Sequence, residues 1–335
     1  MPRKRKKHKR KETFYTDMAP ALILPVVMAV HLYGARALLI TALSVLSALL
    51  SEAAGSKFIG KKPHFRDMSS VYTGVLLALM MPASVPLWMP IAGSAFAVLT
   101  IKIPFGGAYR APFSCAAAAF SFLSICRPDA VFAYPALESN ISDPNNFVEG
   151  VSLASSLGTS GNPGITAVEL INAFIGSVPG AMGMTSAVIM LGILIYIFVR
   201  RPKSFINSLG FLSVCLVGAV LVTAFSGGRF FSENSLRLIC VRLFSGFTMG
   251  IAVFLITEEG PSPKKKMHRF LYGALAGAIY IALRYVSVFE DAGCFAVLTV
   301  NAVWPLLNGL FIKKENKTYD FQTRLLGRHN ISNIV

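Results

Sequence analysis

Charged residues are scarce in this sequence. Only 14% of the 335 residues are Asp, Glu, Lys or Arg, whereas 54% are hydrophobic. An ordinary soluble domain carries about 25% charged residues, so the polar surface is too small to cover a water-soluble fold of this length. The composition therefore excludes a soluble globular protein and indicates that the main solvent of the chain is lipid.

Short motifs of common enzymes and metal sites are also missing. The five cysteines stand singly in apolar runs without a C-x-x-C pair, and the five histidines are equally dispersed. No hydrolase triad, P-loop or dinucleotide-binding fingerprint is present. We therefore predict no metal site and no catalytic residue, and we interpret the cysteines as inert buried thiols.

No leader of about 15–30 residues with a small-residue cleavage site opens the chain. Residues 1–16 instead form a basic arm with eight Lys and Arg, directly before an apolar stretch. Such an arm could bind nucleic acid, but next to a membrane helix it is more typical of a topology determinant that contacts anionic headgroups. We therefore expect a retained first helix, the lipid bilayer as a partner and no nucleic acid.

Ten apolar stretches are candidates for membrane helices, since a bilayer core needs about 20 apolar residues per helix and fewer where a helix is broken. The sixth contains Gly176, Pro179 and Gly180, which predict a half-helix before a break and a single span after it. The stretches are 17–33, 35–54, 70–83, 86–104, 111–127, 167–199, 205–226, 238–257, 269–287 and 293–312.

Basic residues alternate between the segments that join these stretches. With the N-terminus placed inside, 26 of the 32 Lys and Arg fall in segments on the cytoplasmic side. Loops rich in Lys and Arg stay on that side of a membrane. The pattern predicts a multi-pass protein of the cell membrane with cytoplasmic N- and C-termini.

Ten spans divide into two sets of five, and an odd number per set turns the second set upside down relative to the first. Prolines interrupt the ends of the third and eighth stretches. These two breaks either line a central site or are ordinary loops. The predicted fold class is an all-α polytopic membrane protein of about ten transmembrane helices in two inverted five-helix repeats with broken helices. Its predicted parts are the basic arm 1–16, the first repeat 17–127, an extracytoplasmic loop 128–166, the second repeat 167–312 and a cytoplasmic tail 313–335.

Four strings, in the right order, resemble a known family: the D subunit of Rnf-type electron transport complexes and the B subunit of sodium-translocating NADH:quinone reductase. The resemblance covers roughly residues 20–312 and marks a divergent member of this RnfD/NqrB family. Two strings are residues 67–79 (DMSSVYTGVLLAL), similar to D-G-S-x-x-x-T-G-L-L-L-A-L, and 102–113 (KIPFGGAYRAPF), similar to G-K-x-x-x-G-G-x-x-x-N-P-F. The others are 174–186 (FIGSVPGAMGMTS), similar to F-x-G-x-x-P-G-x-x-G-E-T-S, and 291–301 (DAGCFAVLTVN), similar to D-G-x-x-F-A-V-L-x-M-N.

In that family the loop before the sixth span carries FMN on a threonine, through a phosphoester, in a motif similar to D-G-x-[ST]-G-A-T. The matching stretch is residues 149–155 (EGVSLAS), which the predicted topology places outside the membrane. The resemblance thus implies covalent FMN on Ser155, attached by a flavin transferase, with Ser152 and Ala154 as further cofactor-binding residues. A loop without flavin is the alternative.

The resemblance is incomplete at several of these positions. Ser155 replaces the acceptor threonine, although its hydroxyl can form the same ester, and Met184 replaces a family glutamate. Glu258 and Glu259 stand where the family has another acidic string, and they fit either an ion- or flavin-associated role or a loop cap. The resemblance also implies cofactor-binding roles, with riboflavin left open as a second flavin, for Thr73, Lys102, Phe113 and Asn301.

The function implied by the resemblance is that of a membrane subunit that is not catalytic alone. It would hold flavin and pass electrons across the membrane, together with other subunits of an Rnf/Nqr-like complex whose redox steps move sodium ions or protons. A solute channel or permease is the alternative, because a five-plus-five architecture resembles that of urea transporters and a fold does not fix a function. Flavin fluorescence that survives denaturing electrophoresis distinguishes the two.

Overall fold

The chain is helical throughout the part that the structure describes. A computed structural model describes residues 14–60, 65–136, 149–150, 166–225, 233–244, 247–286 and 292–309. Within these ranges helices are joined by turns, and the one extended pairing is an isolated antiparallel bridge between Pro135 and Glu149. The all-α prediction is confirmed.

The first half of the described chain begins with a broken helix, followed by one helix of 24 residues and four shorter ones. A single 3-10 turn, Pro20–Leu22, separates the first two helices, and a π-helical segment, Ala97–Lys102, continues the fifth. In chain order these helices are α1 (Phe14–Met18), α2 (Ile23–Tyr33), α3 (Ala35–Phe58), α4 (Ser69–Met80), α5 (Trp88–Phe96), α6 (Cys115–Cys126) and α7 (Pro128–Val131).

The second half contains two broken elements and three longer helices. A second π-helical segment, Ile251–Leu255, continues the short helix that precedes it. The helices are α8 (Ala167–Ile175), α9 (Ala187–Arg200), α10 (Pro202–Phe225), α11 (Glu233–Phe244), α12 (Thr248–Gly250), α13 (Lys266–Val286) and α14 (Gly293–Gly309).

Three helical runs of the described chain are long and apolar enough to cross a membrane: Phe14–Tyr33, Ala35–Phe58 and Pro202–Ala224. The bent pair Ser235–Phe244 and Thr248–Leu255 adds a fourth if it counts as one span. Each of the ten predicted stretches contains helix, but the number of crossings and the inverted repeat stay predictions. Five shorter apolar helices are Ser69–Met80, Trp88–Lys102, Cys115–Cys126, Ala187–Arg200 and Gly293–Gly309.

Two of the predicted stretches are broken in the structure. The sixth breaks as expected, since α8 ends at Gly176, whose φ of 97° favours glycine, and α9 starts only at Ala187. The eighth was predicted as one span over 238–257, but α11 and α12 meet at an angle of 55°. The helix before the bend, α11, carries Arg237 and Arg242 within 12 residues, and charged side chains are costly inside lipid.

Glycines let the long helices pack at backbone distance. A Cβ atom added at Gly273 of α13 would lie 2.0 Å from the carbonyl oxygen of Asn207 in α10, and one at Gly210 would lie 2.3 Å from the carbonyl oxygen of Phe270. Small residues at such crossings are typical of helix pairs in membranes. The pair α10 and α13 therefore forms a closely packed unit in the second half.

Ion pairs gather several loops at one end of the molecule. Arg201, between α9 and α10, lies 2.6 Å from Asp17 of α1 and 3.4 Å from Glu259 after the second π-helix. A Cβ at Gly260 would lie 2.6 Å from the carbonyl oxygen of Ala108, in the loop after α5. These segments are those that the basic pattern predicts on the cytoplasmic side.

Hydrogen bonds gather a second group of loops. Arg36 at the start of α3 donates to the carbonyl oxygen of Ala83 at 2.6 Å. The neighbouring Ser84 donates to the carbonyl oxygen of Ala133, and Tyr33 donates to that of Gly180 at 3.4 Å. These segments are the ones predicted outside the membrane, so the contacts divide the loops as the charge pattern does.

Reporter fusions test this topology. Fusions after residues 60, 202 and 265 are expected to report the cytoplasm, and fusions near 145 and 232 the outside, because Lys and Arg are concentrated in the segments predicted on the cytoplasmic side. Paired phosphatase and fluorescent-protein fusions at each position provide the measurement and its control. A cytoplasmic signal at 145 would contradict an exported loop between the halves.

Candidate functional site

A buried carboxylate lies in the break that follows the second π-helix. We call residues 256–263 the Glu258 break. The side chain of Glu258 is only 4% exposed and receives a hydrogen bond from the hydroxyl of Ser114 at the start of α6. The helix ends here because Pro261 and Pro263 have no backbone N–H to continue it. The chain thus places one carboxylate inside the protein, where non-helical backbone is surrounded by packed helices.

Polar side chains donate to backbone carbonyl groups of the Glu258 break and of the π-helical segment before it. Thr257 donates to the carbonyl oxygen of Val253 at 2.6 Å, and Ser262 donates to that of Glu258 at 2.5 Å. Tyr72 of α4 donates to the carbonyl oxygen of Phe254 at 3.3 Å. Buried carbonyl groups need such partners, so the break is a defined structure.

Asn301 of α14 joins the same site. With its amide assigned the orientation in which both ends have partners, the oxygen accepts a hydrogen bond from the backbone N–H of Ser114 at 3.2 Å, and the nitrogen donates to the carbonyl oxygen of Val297 at 3.2 Å and to the hydroxyl of Tyr272. Ser114 therefore connects Asn301 to Glu258. Residues of α6, α13 and α14 converge on the break.

A second buried charged group, the Lys102 cluster, consists of Lys102, Glu52, Asp67 and Ser70. The Lys102 ammonium lies 3.0 Å from Glu52 and 3.9 Å from Asp67, and it donates to Ser70 at 2.8 Å. Ser70 in turn donates to Glu52 at 2.6 Å. Lys102 and Glu52 are each 3% exposed. Two carboxylates facing one ammonium give the cluster a formal charge of −1.

The second half contains an arrangement similar to the Lys102 cluster. Arg284 near the end of α13 donates to the hydroxyl of Thr248, the first residue of α12, at 3.2 Å. In the first half Lys102, at the end of the π-helix after α5, donates to Ser70 near the start of α4. A basic side chain at the end of one helix thus contacts a hydroxyl at the start of the preceding one in both halves.

The structure describes four of the residues predicted to bind cofactor. Thr73 is buried and donates to the carbonyl oxygen of Ser69 at 2.9 Å, and Lys102 belongs to the cluster named after it. Phe113 is half-buried and directly precedes Ser114, to which Asn301 is bonded. Lys102 and Asn301 therefore lie in two different buried polar groups, and the flavin roles of the four residues stay predictions.

The predicted flavin positions Ser152, Ala154 and Ser155 lie outside the described residues. The residue that leads into them is described: the backbone N–H of Gly150 donates to the carbonyl oxygen of Tyr134 at 2.8 Å. A Cβ at Gly150 would lie 2.5 Å from the ring of Pro179 in the sixth-stretch break. The loop therefore leaves the helices at the end that is predicted to face outward.

Sequence reasoning missed Glu52 and Ser114 as site residues. Glu52 lies in α3, a helix of 24 residues that is otherwise mostly apolar, and an ionisable residue inside a membrane helix is itself a signal of function. Ser114 has no such signal, because its partners Glu258 and Asn301 are more than a hundred positions away in the sequence.

These features define a class: a polytopic membrane protein with buried carboxylates at helix ends and breaks. The chain belongs to the NQR2, RnfD, RnfE family, whose model matches residues 3–317. The resemblance inferred from the four strings is thereby confirmed.

Individual relatives agree with the family match. The B subunit of the Na(+)-translocating NADH-quinone reductase of Chromohalobacter salexigens is 28% identical over 267 residues, which are 78% of this chain and 62% of that protein. The chain thus spans less than two thirds of that relative. The D subunit of the ion-translocating oxidoreductase complex of Klebsiella pneumoniae is 27% identical over 86% of this chain and 89% of its own length.

The D subunit of the Na(+)-translocating ferredoxin:NAD(+) oxidoreductase complex of Acetobacterium woodii is also similar, at 26% identity over 86% of this chain and 85% of its own. The names of these relatives describe subunits of ion-translocating oxidoreductase complexes. Family members are membrane subunits, which agrees with the apolar helices of this chain.

Proposed function

We propose that this chain is a membrane subunit of an ion-translocating, flavin-dependent electron transport complex. The observation that carries the proposal is the burial of Glu258 at a helix break in a chain of this family. The complex supplies the remaining redox centres, so the chain acts with other membrane subunits and is not catalytic alone.

Glu258 is the proposed ion-binding group. Its hydrogen-bond partner Ser114 is neutral, whereas the neighbouring Glu259 pairs with Arg201. A buried carboxylate is stabilised by a proton or a small cation, since an isolated negative charge inside a protein is costly. The Glu258 break is therefore the proposed place where ion movement is coupled to the redox steps.

The proposed flavin is FMN joined to Ser155 by a phosphoester, attached by a flavin transferase. Flavin supplies one- and two-electron transfer when it is bound, and the protein positions it. The contacts of Gly150 with Tyr134 and Pro179 support this placement, because they bring the start of the flavin motif to the end predicted outside.

The proposed architecture is a pair of inverted five-helix repeats. The first observation that supports it is that the Lys102–Ser70 contact in the first half has a counterpart, Arg284–Thr248, in the second. The breaks after α4 and after the second π-helix belong to the loop groups at opposite ends. Inverted repeats place binding sites between broken helices.

Replacing Glu258 with glutamine tests the ion role. In the intact complex in membrane vesicles, redox-driven sodium or proton uptake is expected to fall about tenfold, because glutamine cannot exchange a proton or balance a cation. The control is Asp129→Asn, which changes an exposed carboxylate that pairs with Arg127. Uptake at the wild-type rate with Glu258→Gln would contradict the assignment.

A further inference from the structure

Hydrogen bonds connect the Glu258 break and the π-helix before it to one face of α10. Asn207 donates through its amide nitrogen to the carbonyl oxygen of Ile256 and to the hydroxyl of Ser262, both at 2.8 Å. The next residue, Ser208, donates to the carbonyl oxygen of Ala252 at 2.6 Å. Asn207 and Ser208 are both fully buried.

These bonds reach the groups that an ordinary α-helix would have satisfied itself. A π-helix and a break leave backbone carbonyls without their usual i+4 partner. Ser208 donates to the carbonyl oxygen of Ala252 within the π-helix, and Asn207 donates to that of Ile256 directly after it. Ser262, held by Asn207, donates to the carbonyl oxygen of Glu258 itself. A continuous chain of hydrogen bonds therefore runs from α10 to the backbone of the buried carboxylate.

The face of α10 that carries these donors is rigid. The carbonyl oxygen of Asn207 is in direct contact range of Gly273 in α13, and Gly277 packs in the same way against the carbonyl oxygen of Phe211. Side chains that must hold a site need such support from packed helices. The break itself is short and non-helical, so its geometry depends on what it is fastened to.

The first half contains an independent example of the same device. Arg36, the second residue of α3, donates to the carbonyl oxygens of Ala83 and Val85, at 2.6 and 3.1 Å, in the break after α4. In both halves a residue near the start of the second long helix donates to the open backbone of the later break. The break in the first half carries no acid, whereas that in the second carries Glu258.

We propose that Asn207 and Ser208 are positioning residues that hold the Glu258 break so that the carboxylate stays buried beside Ser114. This inference rests on the proposed function, in which Glu258 binds the ion. Its consequence is that Glu258 is protected from aqueous reagents by two side chains that do not contact the carboxylate.

The test is carboxylate labelling of the full chain in membranes, with a water-soluble carbodiimide and glycine ethyl ester, followed by mass spectrometry. Glu258 is expected to react about tenfold faster in Asn207→Leu and about threefold faster in Ser208→Ala, because the break opens to water. Ser208→Thr keeps the hydroxyl and should restore the wild-type rate. Ser213→Ala is the matched control, since that hydroxyl donates to Gly210 within α10.

Two carboxylates in the same samples act as internal references. Glu52 is buried in the Lys102 cluster and reports general loosening, and the exposed Asp129 reports reagent delivery. Faster labelling of Glu258 with unchanged Glu52 supports the proposal. A rate within about twofold of wild type in both variants, or a parallel increase at Glu52, overturns it. Should Asn207→Leu fail to insert, Ser208→Ala carries the same test with the loss of one oxygen.

The labelling outcome is separate from the ion role of Glu258. If Glu258→Gln leaves ion uptake intact, the proposed coupling fails although the protection by Asn207 can stand. If Glu258→Gln stops ion uptake while the labelling rate of Glu258 is unchanged in Asn207→Leu and Ser208→Ala, the positioning role fails and the ion role of Glu258 stands.

Discussion

Replacing Ser155 with alanine is expected to abolish the in-gel flavin fluorescence of this chain while membrane insertion is retained. The reason is that the phosphoester needs one hydroxyl oxygen, and alanine has none, whereas a single change in a polar loop leaves the apolar helices untouched. The measurement is fluorescence after denaturing electrophoresis of protein co-produced with a flavin transferase, with the amount in the membrane fraction determined on the same gel.

Neighbouring and conservative substitutions are the controls for Ser155. Ser155→Thr should keep the label, because threonine supplies the same oxygen and restores the usual acceptor of the family. Ser156→Ala should have little effect. If the label persists in Ser155→Ala but is lost in Ser156→Ala, the acceptor is Ser156 and the motif is shifted by one residue. A wild-type chain that carries no covalent flavin would favour the permease alternative.

The apolar stretches and the positions of glycine and proline predicted much of the fold. Burial in lipid requires long apolar stretches, and a single sequence displays them. The break around Gly176 was predicted because a glycine and a nearby proline are local signals that a single sequence also displays. In the structure Gly176 adopts the left-handed conformation that ends α8. The bend between α11 and α12 was missed. The eighth stretch was predicted to start at residue 238, which leaves Arg237 in an outer segment and Arg242 inside the span near its outer end, and only the structure shows that the helix changes direction after residue 244.

The two polar groups were harder to predict because their members are distant in sequence. Lys102 was chosen from a family string, but its partners Glu52 and Asp67 come from two other segments, and neither belongs to the same motif as Lys102. Asn301 was chosen from another string, and its connection to Glu258 through Ser114 depends on how three helices meet. Motifs thus indicated individual residues, whereas the packing decides which of them form one site.

Breaking the buried Lys102–Glu52 pair is expected to have the largest effect on stability. Lys102→Met removes the ammonium that lies 3.0 Å from the Glu52 carboxylate, a group that is 3% exposed and also receives a hydrogen bond from Ser70. Losing one partner of a buried ion pair costs about 3–5 kcal/mol, because the remaining buried charge loses the attraction of the opposite charge. The measurement is the unfolding free energy or thermal midpoint of the full chain in detergent.

Removing both partners should cost less than removing one. In Lys102→Met combined with Glu52→Gln no uncompensated charge remains at that pair, so we expect the double variant to recover about half or more of the lost stability. Lys57→Met is the matched control: Lys57 lies in the last turn of the same helix as Glu52 but is exposed, so its loss should change stability by less than about 0.5 kcal/mol. A Lys102→Met variant as stable as the Lys57→Met control would contradict the prediction, because it would show that the buried ion pair contributes little to the stability of the folded chain.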